Sequence, residues 1–135
     1  RTLRGEPGLF DVVLASPPCQ RFSFANQASR DTAAGMVLVL EALRIVKECA
    51  PTWWVLENVR GAYGPISAVA GHALNSPAHH NNSLWLWGVV PPGTIIPRVL
   101  KRIEKHGSHR TRAALRALIP YPLSLALCLA MEAGP

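Results

Sequence analysis

The sequence predicts an α/β fold, because two short apolar runs are separated by a long amphipathic helix pattern. The runs, residues 10–14 and 53–56, are each ended by turn-forming or polar side chains. Between them, apolar residues recur at three- and four-residue steps over 31–49, with Asp31 or Thr32 as the N-cap. A strand, a helix and a second strand in this order predict a parallel βαβ core with a right-handed crossover.

The rest of the chain adds one strand and several shorter elements. Residues 62–83 are rich in small and polar side chains, which indicates an irregular connection or at most a short helix. Residues 84–90 predict a third strand. A short amphipathic helix with basic residues is expected at 99–105 and a second helical stretch at 111–118. A terminal helix with Pro122 in its first turn should follow and end at Gly134.

Composition favours a single folded domain over 1–135 with a polyanionic partner. The 135 residues suffice for about one domain, and 49% hydrophobic against 16% charged residues excludes a disordered chain. A net charge of +6 and a pI near 9.9 make nucleic acid the first candidate partner.

Cysteine and histidine usage argues against disulfides and metal. The three cysteines form no CxxC pair, and four of the five histidines, at 79, 80, 106 and 109, have no neighbouring cysteine pair or carboxylate cluster. The longest apolar stretch, 123–131, is much shorter than the roughly 20 residues of a membrane span. We expect no metal and no membrane contact, and a location in the cytoplasm of a prokaryotic or phage-infected cell. Because the first residue is Arg1, we expect the sequence to derive from a longer one.

Reactive side chains follow both predicted strands of the βαβ unit. Ligands collect beyond the carboxyl ends of parallel strands, where Cys19 follows the first strand and Glu57 follows the second. Arg21 lies close to the cysteine, and a neighbouring cation lowers a thiol pKa and favours the nucleophilic thiolate. The sequence thus offers a nucleophile beside an acid, although Glu57 alone would equally suit a solvated loop or the start of a helix.

The other cysteines and the tryptophans are interpreted as structural. Cys49 and Cys128 lie in apolar helical runs and are expected to be small buried hydrophobes. The tryptophans at 53, 54, 85 and 87 are expected in the core of the sheet rather than in base stacking.

Two motifs resemble the central signatures of the DNA cytosine-5 methyltransferases. They are Pro-Cys-Gln at 18–20, after DVVLAS, and Glu-Asn-Val at 57–59, after WWVL. Leu-Trp-Gly at 86–88 resembles a later strand of that family, and residues 115–124 resemble its last motif. The resemblance implies a partial Rossmann-like S-adenosylmethionine-dependent methyltransferase fold. Its parts would be a catalytic βαβ unit (10–60), a further strand (84–90) and a basic segment with C-terminal helices (98–134).

The resemblance also implies a mechanism and a set of site residues. Cys19 would add to C6 of a cytosine turned out of the duplex, while Glu57 would hold its N3–N4 edge and assist protonation at N3. Asn58 would fix the loop by side-chain hydrogen bonds. Substrate-binding positions would be Pro18, Gln20, Arg21, Ser23, Asn58, Val59 and Arg60. Positions facing the methyl donor, S-adenosylmethionine, would be Pro17, Pro18, Ile119 and Pro120.

Basic residues cluster towards the end of the sequence. With Glu104 as the only acid among them, they predict a phosphate-facing surface, although an ordinary solvated helix face has the same composition. The positions expected to contact the DNA backbone are Arg98, Lys101, Arg102, Lys105, Arg110 and Arg112.

Several features of the resembled family are not found in the sequence. No glycine-rich turn follows an early strand, and the region of a usual Gln-x-Arg-x-Arg motif reads Asn-Asn-Ser-Leu at 81–84. About thirty residues separate Gly88 from the tail motif, which leaves little room for a recognition domain. We therefore expect a second polypeptide, or self-association, to supply the missing half of the sheet.

Three functions remain open from the sequence. The first is a catalytic part of a cytosine-5 DNA methyltransferase, active when the cofactor loop is supplied by another chain. The second is a catalytically incomplete homologue that binds DNA or a methyltransferase partner. The third is an unrelated thiol enzyme, such as a hydrolase, for which no histidine has an evident place as the base.

Overall fold

Parallel pairing of the first two strands confirms the predicted βαβ core. The computed structural model describes residues 3–24, 28, 30–74, 84–97 and 121–134. Its elements in chain order are β1 (Val12–Ala15), α1 (Thr32–Cys49), β2 (Trp53–Val59), α2 (Tyr63–Ala70), β3 (Leu84–Val89) and α3 (Tyr121–Glu132). A single 3₁₀ turn, Arg60–Ala62, joins β2 to α2.

Helix α1 has the boundaries that its sequence signals predict. Asp31 is the N-cap, and its side chain accepts a hydrogen bond of 3.0 Å from the backbone N–H of Ala34. The helix ends at Cys49, and Ala50 follows in a left-handed conformation with φ of 46°. Pro51 then prevents continuation.

The strands form a mixed sheet in the order β1-β2-β3. The parallel register of β1 with β2 runs from Val12 opposite Trp53 to Ala15 opposite Leu56. Strand β3 is antiparallel to β2, so that Leu84 lies opposite Val59. The carboxyl ends of β1 and β2 and the beginning of β3 therefore meet at one edge, called here the site edge.

Strand boundaries differ from the sequence prediction at two places. Strand β1 begins at Val12 instead of residue 10, and it is not buried, since Val12 and Leu14 are 37% and 65% exposed. Strand β2 continues to Val59, so Glu57 and Asn58 lie within the strand and not in a loop after it. Pairing with β3 extends β2, because Glu57 lies opposite Leu86 and Asn58 opposite Trp85.

The two faces of the sheet are covered by different helices. One face, the α1 face, packs against α1 and α2 through a cluster that includes Val39, Leu56, Ile66 and Trp87. The other, the α3 face, packs against α3 through Val55, Leu86, Leu123 and Leu127. Trp85 and Trp87 are buried and Trp54 packs against the same cluster, in agreement with their predicted place in the core. Trp53 is half-buried and belongs to neither core cluster of the described residues.

The residues before β1 are tied to the end of α1. The Glu48 carboxylate accepts hydrogen bonds from the Gly5 backbone N–H at 2.9 Å and from the Arg4 guanidinium at 3.3 Å. The Gly5 hydrogen bond, followed by that from the Arg44 side chain, lowers the pKa of Glu48. Gly8 N–H also donates to the Cys49 carbonyl. Because α1 ends where β2 begins, this segment lies at the edge of the sheet opposite the site edge.

Later elements agree with the prediction where the structure describes them. Helix α2 is the short helix allowed within 62–83, and α3 has Pro122 in its first turn. The helices predicted at 99–105 and 111–118 lie outside the described residues. Among the helices of the described ranges, none is both long and apolar enough to cross a membrane.

Candidate active site

Cys19 lies at the site edge, at the beginning of a tight turn after β1. Its carbonyl oxygen accepts hydrogen bonds from the backbone N–H groups of Phe22, at 3.0 Å, and Ser23, at 3.1 Å. The Arg21 carbonyl accepts from the N–H of Asp31, which connects the turn to the N-cap of α1. The backbone around the thiol is thus held by hydrogen bonds on the α1 side.

Asn58 connects β2 to the loop that carries Cys19. Its side chain is fully buried, and its Nδ2 donates to the Pro17 carbonyl oxygen at 3.0 Å. Its Oδ1 accepts from the backbone N–H of Val59 at 2.9 Å. A buried amide whose donor and acceptor are both used fixes the positions of the groups that it joins. This is the contact that the predicted loop-fixing role of Asn58 requires.

Glu57 projects from β2 beside the end of β1. Ser16 Oγ donates a hydrogen bond of 2.7 Å to Glu57 Oε2, which holds the half-buried carboxylate. The sequence prediction missed this role of Ser16. The strand register could have indicated it, because pairing of Ala15 with Leu56 puts Ser16, the first residue after β1, beside Glu57.

Burial and the charge of Glu57 raise the pKa of the Cys19 thiol. Burial makes the larger contribution, the negative charge of Glu57 adds to it, and a hydrogen bond to the Cys19 backbone opposes both. The prediction that Arg21 lowers this pKa is therefore wrong. The side chain of Arg21 is exposed, whereas the thiol is half-buried and close enough to Glu57 to respond to its charge. The structure thus places Cys19 close enough to Glu57 for the carboxylate charge to raise the pKa of the thiol.

The other predicted site residues have different surroundings. Pro17 is buried, Ser23 and Val59 are half-buried, and the exposed positions are Pro18, Gln20, Arg21 and Arg60. Two predicted cofactor positions, Ile119 and Pro120, lie outside the described residues. The same holds for the predicted DNA-backbone positions Arg98, Lys101, Arg102, Lys105, Arg110 and Arg112. Their roles stay predictions.

A groove of roughly 340 Å³ extends from Glu57 between the sheet and α3. Its walls are mainly apolar and include Leu14 of β1 and Leu127 and Met131 of α3. Cys128 also lines the groove and is exposed, so the prediction that it is buried is wrong, whereas Cys49 is buried as expected. The groove places an open apolar surface directly beside the carboxylate.

The described residues lack the glycine-rich turn that typically cradles a nucleoside cofactor. Strand β1 is followed by Ser16, Pro17 and Pro18, and no strand of the described ranges leads through a glycine-rich turn into a helix. The predicted cofactor contacts of Pro17 and Pro18 therefore stay predictions. No group of three or more His, Cys, Asp and Glu side chains in the described ranges is arranged to hold a metal ion.

A thiol that follows β1 and a carboxyl group near the end of β2 lie together beside two adjacent parallel strands of this α/β fold. The family model of the C-5 cytosine-specific DNA methylases matches residues 4–75, more than half of the chain, and includes both groups. The chain therefore belongs to the C-5 cytosine-specific DNA methylase family.

Curated relatives match the same part of the molecule. The chain is 50% identical over 52 residues to the Type II methyltransferase M.AquIA of Picosynechococcus sp. (strain ATCC 27264 / PCC 7002 / PR-6). This match covers 38% of the chain and 21% of the relative. It is 39% identical over 64 residues to the Type II methyltransferase M.AluI of Cellulosimicrobium cellulans, covering 47% and 12%. Identity to the Type II methyltransferase M.NlaIV of Neisseria lactamica is 40% over 52 residues, covering 38% and 12%. The matches span about a fifth or less of these relatives.

Proposed function

We propose that this chain carries the catalytic residues of a DNA cytosine-5 methyltransferase that works through a covalent Cys19 adduct. The observation that carries the proposal is that Cys19 and Glu57 lie near one another at the site edge, after β1 and near the end of its parallel partner β2, in a member of this family. The relatives are named type II methyltransferases, which favours a role in restriction–modification.

The proposed reaction begins on a cytosine turned out of the duplex, because C5 and C6 cannot be approached within the stack. The Cys19 thiolate forms a bond to C6 while N3 receives a proton from Glu57, and the electron pair moves to C5. S-adenosylmethionine supplies the methyl group when bound. After C5 has accepted the methyl group, a base removes the C5 proton and the C6–sulfur bond breaks. N3 then returns its proton to the Glu57 carboxylate, which restores the neutral ring, the carboxyl group and the thiolate.

The electrostatics of the two groups support this division of roles. Negative Glu57 raises the pKa of Cys19, so protonating Glu57 removes one cause that keeps the thiol neutral. The reaction needs a protonated carboxyl at N3 and a thiolate at C6. Transfer of one proton from the thiol to the carboxylate, directly or through water, produces both. The hydrogen bond from Ser16 would keep the carboxyl group in place during this exchange.

The partners of the reaction are proposals as well. DNA would contact the exposed side chains of Gln20 and Arg21 near the thiol, and the basic positions between 98 and 112 would hold its phosphates. A second polypeptide or a second copy would supply the remaining cofactor site of a Rossmann-like sheet. The exposed side chains of Val12 and Leu14 on β1 favour such an association.

Trapping with a 5-fluorocytosine oligonucleotide tests the proposal. Fluorine at C5 cannot leave as a proton, so a covalent protein–DNA adduct should accumulate with S-adenosylmethionine and candidate N-terminal partner chains. The adduct should vanish in Cys19→Ser and persist in the matched variant Cys128→Ser. DNA binding without an adduct under every partner condition would overturn the proposal and favour the catalytically incomplete binding module.

A further inference from the structure

Phe22 lies three residues after Cys19 and is completely buried, although most of its neighbours face solvent. Gln20, Arg21 and Phe24 are exposed, whereas Phe22 belongs to the buried cluster of the α1 face. One side chain of the loop is therefore inserted into the core, and it lies close to the thiol.

The Phe22 ring occupies a notch in α1 that exists because residue 35 is glycine. A Cβ atom on Gly35 would lie 2.6 Å from Phe22 Cζ and 2.9 Å from Cε2. Both distances are shorter than carbon atoms tolerate. A glycine within a helix weakens it, and here the space that glycine leaves is filled by the ring.

The backbone of Phe22 rests on the turn that follows β2. A Cβ atom on Gly61 would collide with the Phe22 carbonyl oxygen, and it would also lie 3.5 Å from Phe24 Cε2. Gly61 comes four residues after Glu57, so the same turn follows the carboxylate along the chain. Phe22 thus contacts α1 with its ring and the turn after β2 with its main chain.

These contacts determine where the thiol lies relative to the carboxylate. Phe22 N–H donates to the Cys19 carbonyl at 3.0 Å, and Asn58 holds the Pro17 carbonyl on the other side of Cys19. The loop is therefore fixed at both ends, and its downstream end depends on the fit of Phe22 between the two glycines.

We propose that Phe22, seated in a socket formed by Gly35 and Gly61, is a positioning residue that sets the place of the Cys19 sulfur relative to the Glu57 carboxyl. Its effect on methyl transfer rests on the proposed function. Its effect on the geometry of the thiol and the carboxyl does not.

The test compares Gly61→Ala with Gly64→Ala in the full chain, because a Cβ atom on Gly64 meets nothing within 4 Å. Alkylation of each cysteine by iodoacetamide is measured against pH by peptide mass spectrometry. Exposed Cys128 is the internal reference, and buried Cys49 reports whether the fold persists.

In Gly61→Ala, Cys19 should move away from Glu57 and towards solvent. Its alkylation at neutral pH should then rise at least about 3-fold relative to Cys128, which corresponds to a fall of half a pKa unit. Gly64→Ala should match the wild type, and Cys49 should stay protected in both variants.

A rescue experiment separates positioning from general loosening. Gly35→Ala should change Cys19 alkylation in the same direction, and Phe22→Leu in the same chain should restore it partly, because leucine lacks the ring atoms that the new Cβ would meet. If Gly61→Ala disturbs the fold and exposes Cys49, the combination of Gly35→Ala with Phe22→Leu still tests whether Phe22 positions the Cys19 thiol.

Identical Cys19 profiles in Gly61→Ala and wild type, with Cys49 protected, would overturn the inference. Purely additive effects of Gly35→Ala and Phe22→Leu would overturn it too. The proposed function fails separately, when the wild-type chain forms no adduct with 5-fluorocytosine DNA, and the alkylation profiles still decide the positioning role.

Discussion

The α1 face of the sheet buries Phe22, Leu56 and Trp87 completely, whereas the α3 face leaves Leu14 65% exposed beside a groove of roughly 340 Å³. Both faces are built from the same three strands, so the difference lies in what covers them. Helices α1 and α2 and the inserted Phe22 cover one face, and of the described elements α3 packs on the other. The loop that carries Cys19 is fixed by contacts on the well-packed α1 face. The α3 face, where the groove lies open, has room for another structural element.

The largest loss of stability is expected when Phe22, which is inserted into the α1 face, is truncated. Phe22→Ala should lower the free energy of unfolding by about 3–5 kcal/mol, because it leaves a cavity in the α1 face. Phe24→Ala is the matched control. Phe24 is 54% exposed and stacks on the Arg30 guanidinium, so its loss should cost about 1 kcal/mol or less. Urea unfolding of both variants measures the difference, and equal losses would contradict the contrast.

A smaller loss is expected from the buried amide that joins β2 to the loop. Asn58→Leu removes the donor to the Pro17 carbonyl and should cost about 1–3 kcal/mol in urea unfolding. Gln20→Leu changes an exposed side chain of the same loop and should stay within about 0.5 kcal/mol. A stable Asn58→Leu chain with unchanged Cys19 alkylation would show that the loop does not depend on this hydrogen bond.

Glu57→Gln should lower the pKa of Cys19 without returning it to its ordinary value. The substitution removes the charge that contributes to the raised pKa, but burial, the larger cause, remains. A folded pKa above the unfolded one contributes stability below the unfolded pKa, and this is lost as pH rises through the folded value. Glu57→Gln should therefore lose less stability at alkaline pH than the wild type.

The pH dependence of iodoacetamide labelling measures this shift directly. Glu41→Gln is the control, since Glu41 pairs with Arg44 on α1 and is not among the groups that act on Cys19. An unchanged labelling midpoint in Glu57→Gln would mean that the thiol and the carboxyl do not interact.

The smallest change in stability is expected on the open face. Leu14→Lys should alter the free energy of unfolding by no more than about 0.5 kcal/mol, since its side chain is mostly exposed. It should nevertheless reduce self-association of the isolated chain in sedimentation velocity, because it places a charge in the groove. Leu3→Lys, at an exposed site that does not line the groove, should not. A wild-type chain that stays monomeric at every concentration would contradict this expectation.

Local signals suffice for the strand–helix–strand unit. The Asp31 cap, the apolar period of α1 and Pro51 agree with one another, and the structure follows them. The end of β2 could not be predicted, because Glu57 and Asn58 resemble strand terminators. Pairing with β3 keeps them in the strand, and neither that pairing nor the antiparallel direction of β3 has a local signal.

At the candidate site, too, local sequence signals do not predict the properties of side chains that depend on tertiary contacts. The motifs predicted which loop and which strand end would meet, but the thiol pKa depends on burial and on Glu57 rather than on Arg21, its neighbour in sequence. Gly35 in the sequence is simply a residue that disfavours helix. Only the folded structure shows that Gly35 leaves space for the Phe22 ring, because this contact depends on the path of the loop after β1.

The attachment of the N-terminal segment to Glu48 determines how the molecule can be mounted for single-molecule work. A linker joined ahead of Leu3 would leave from the edge where α1 ends, across the sheet from Cys19 and Glu57. A surface or bead coupled there would leave the site edge facing the solution. Coupling through the exposed thiol of Cys128 would instead anchor the protein inside its own groove.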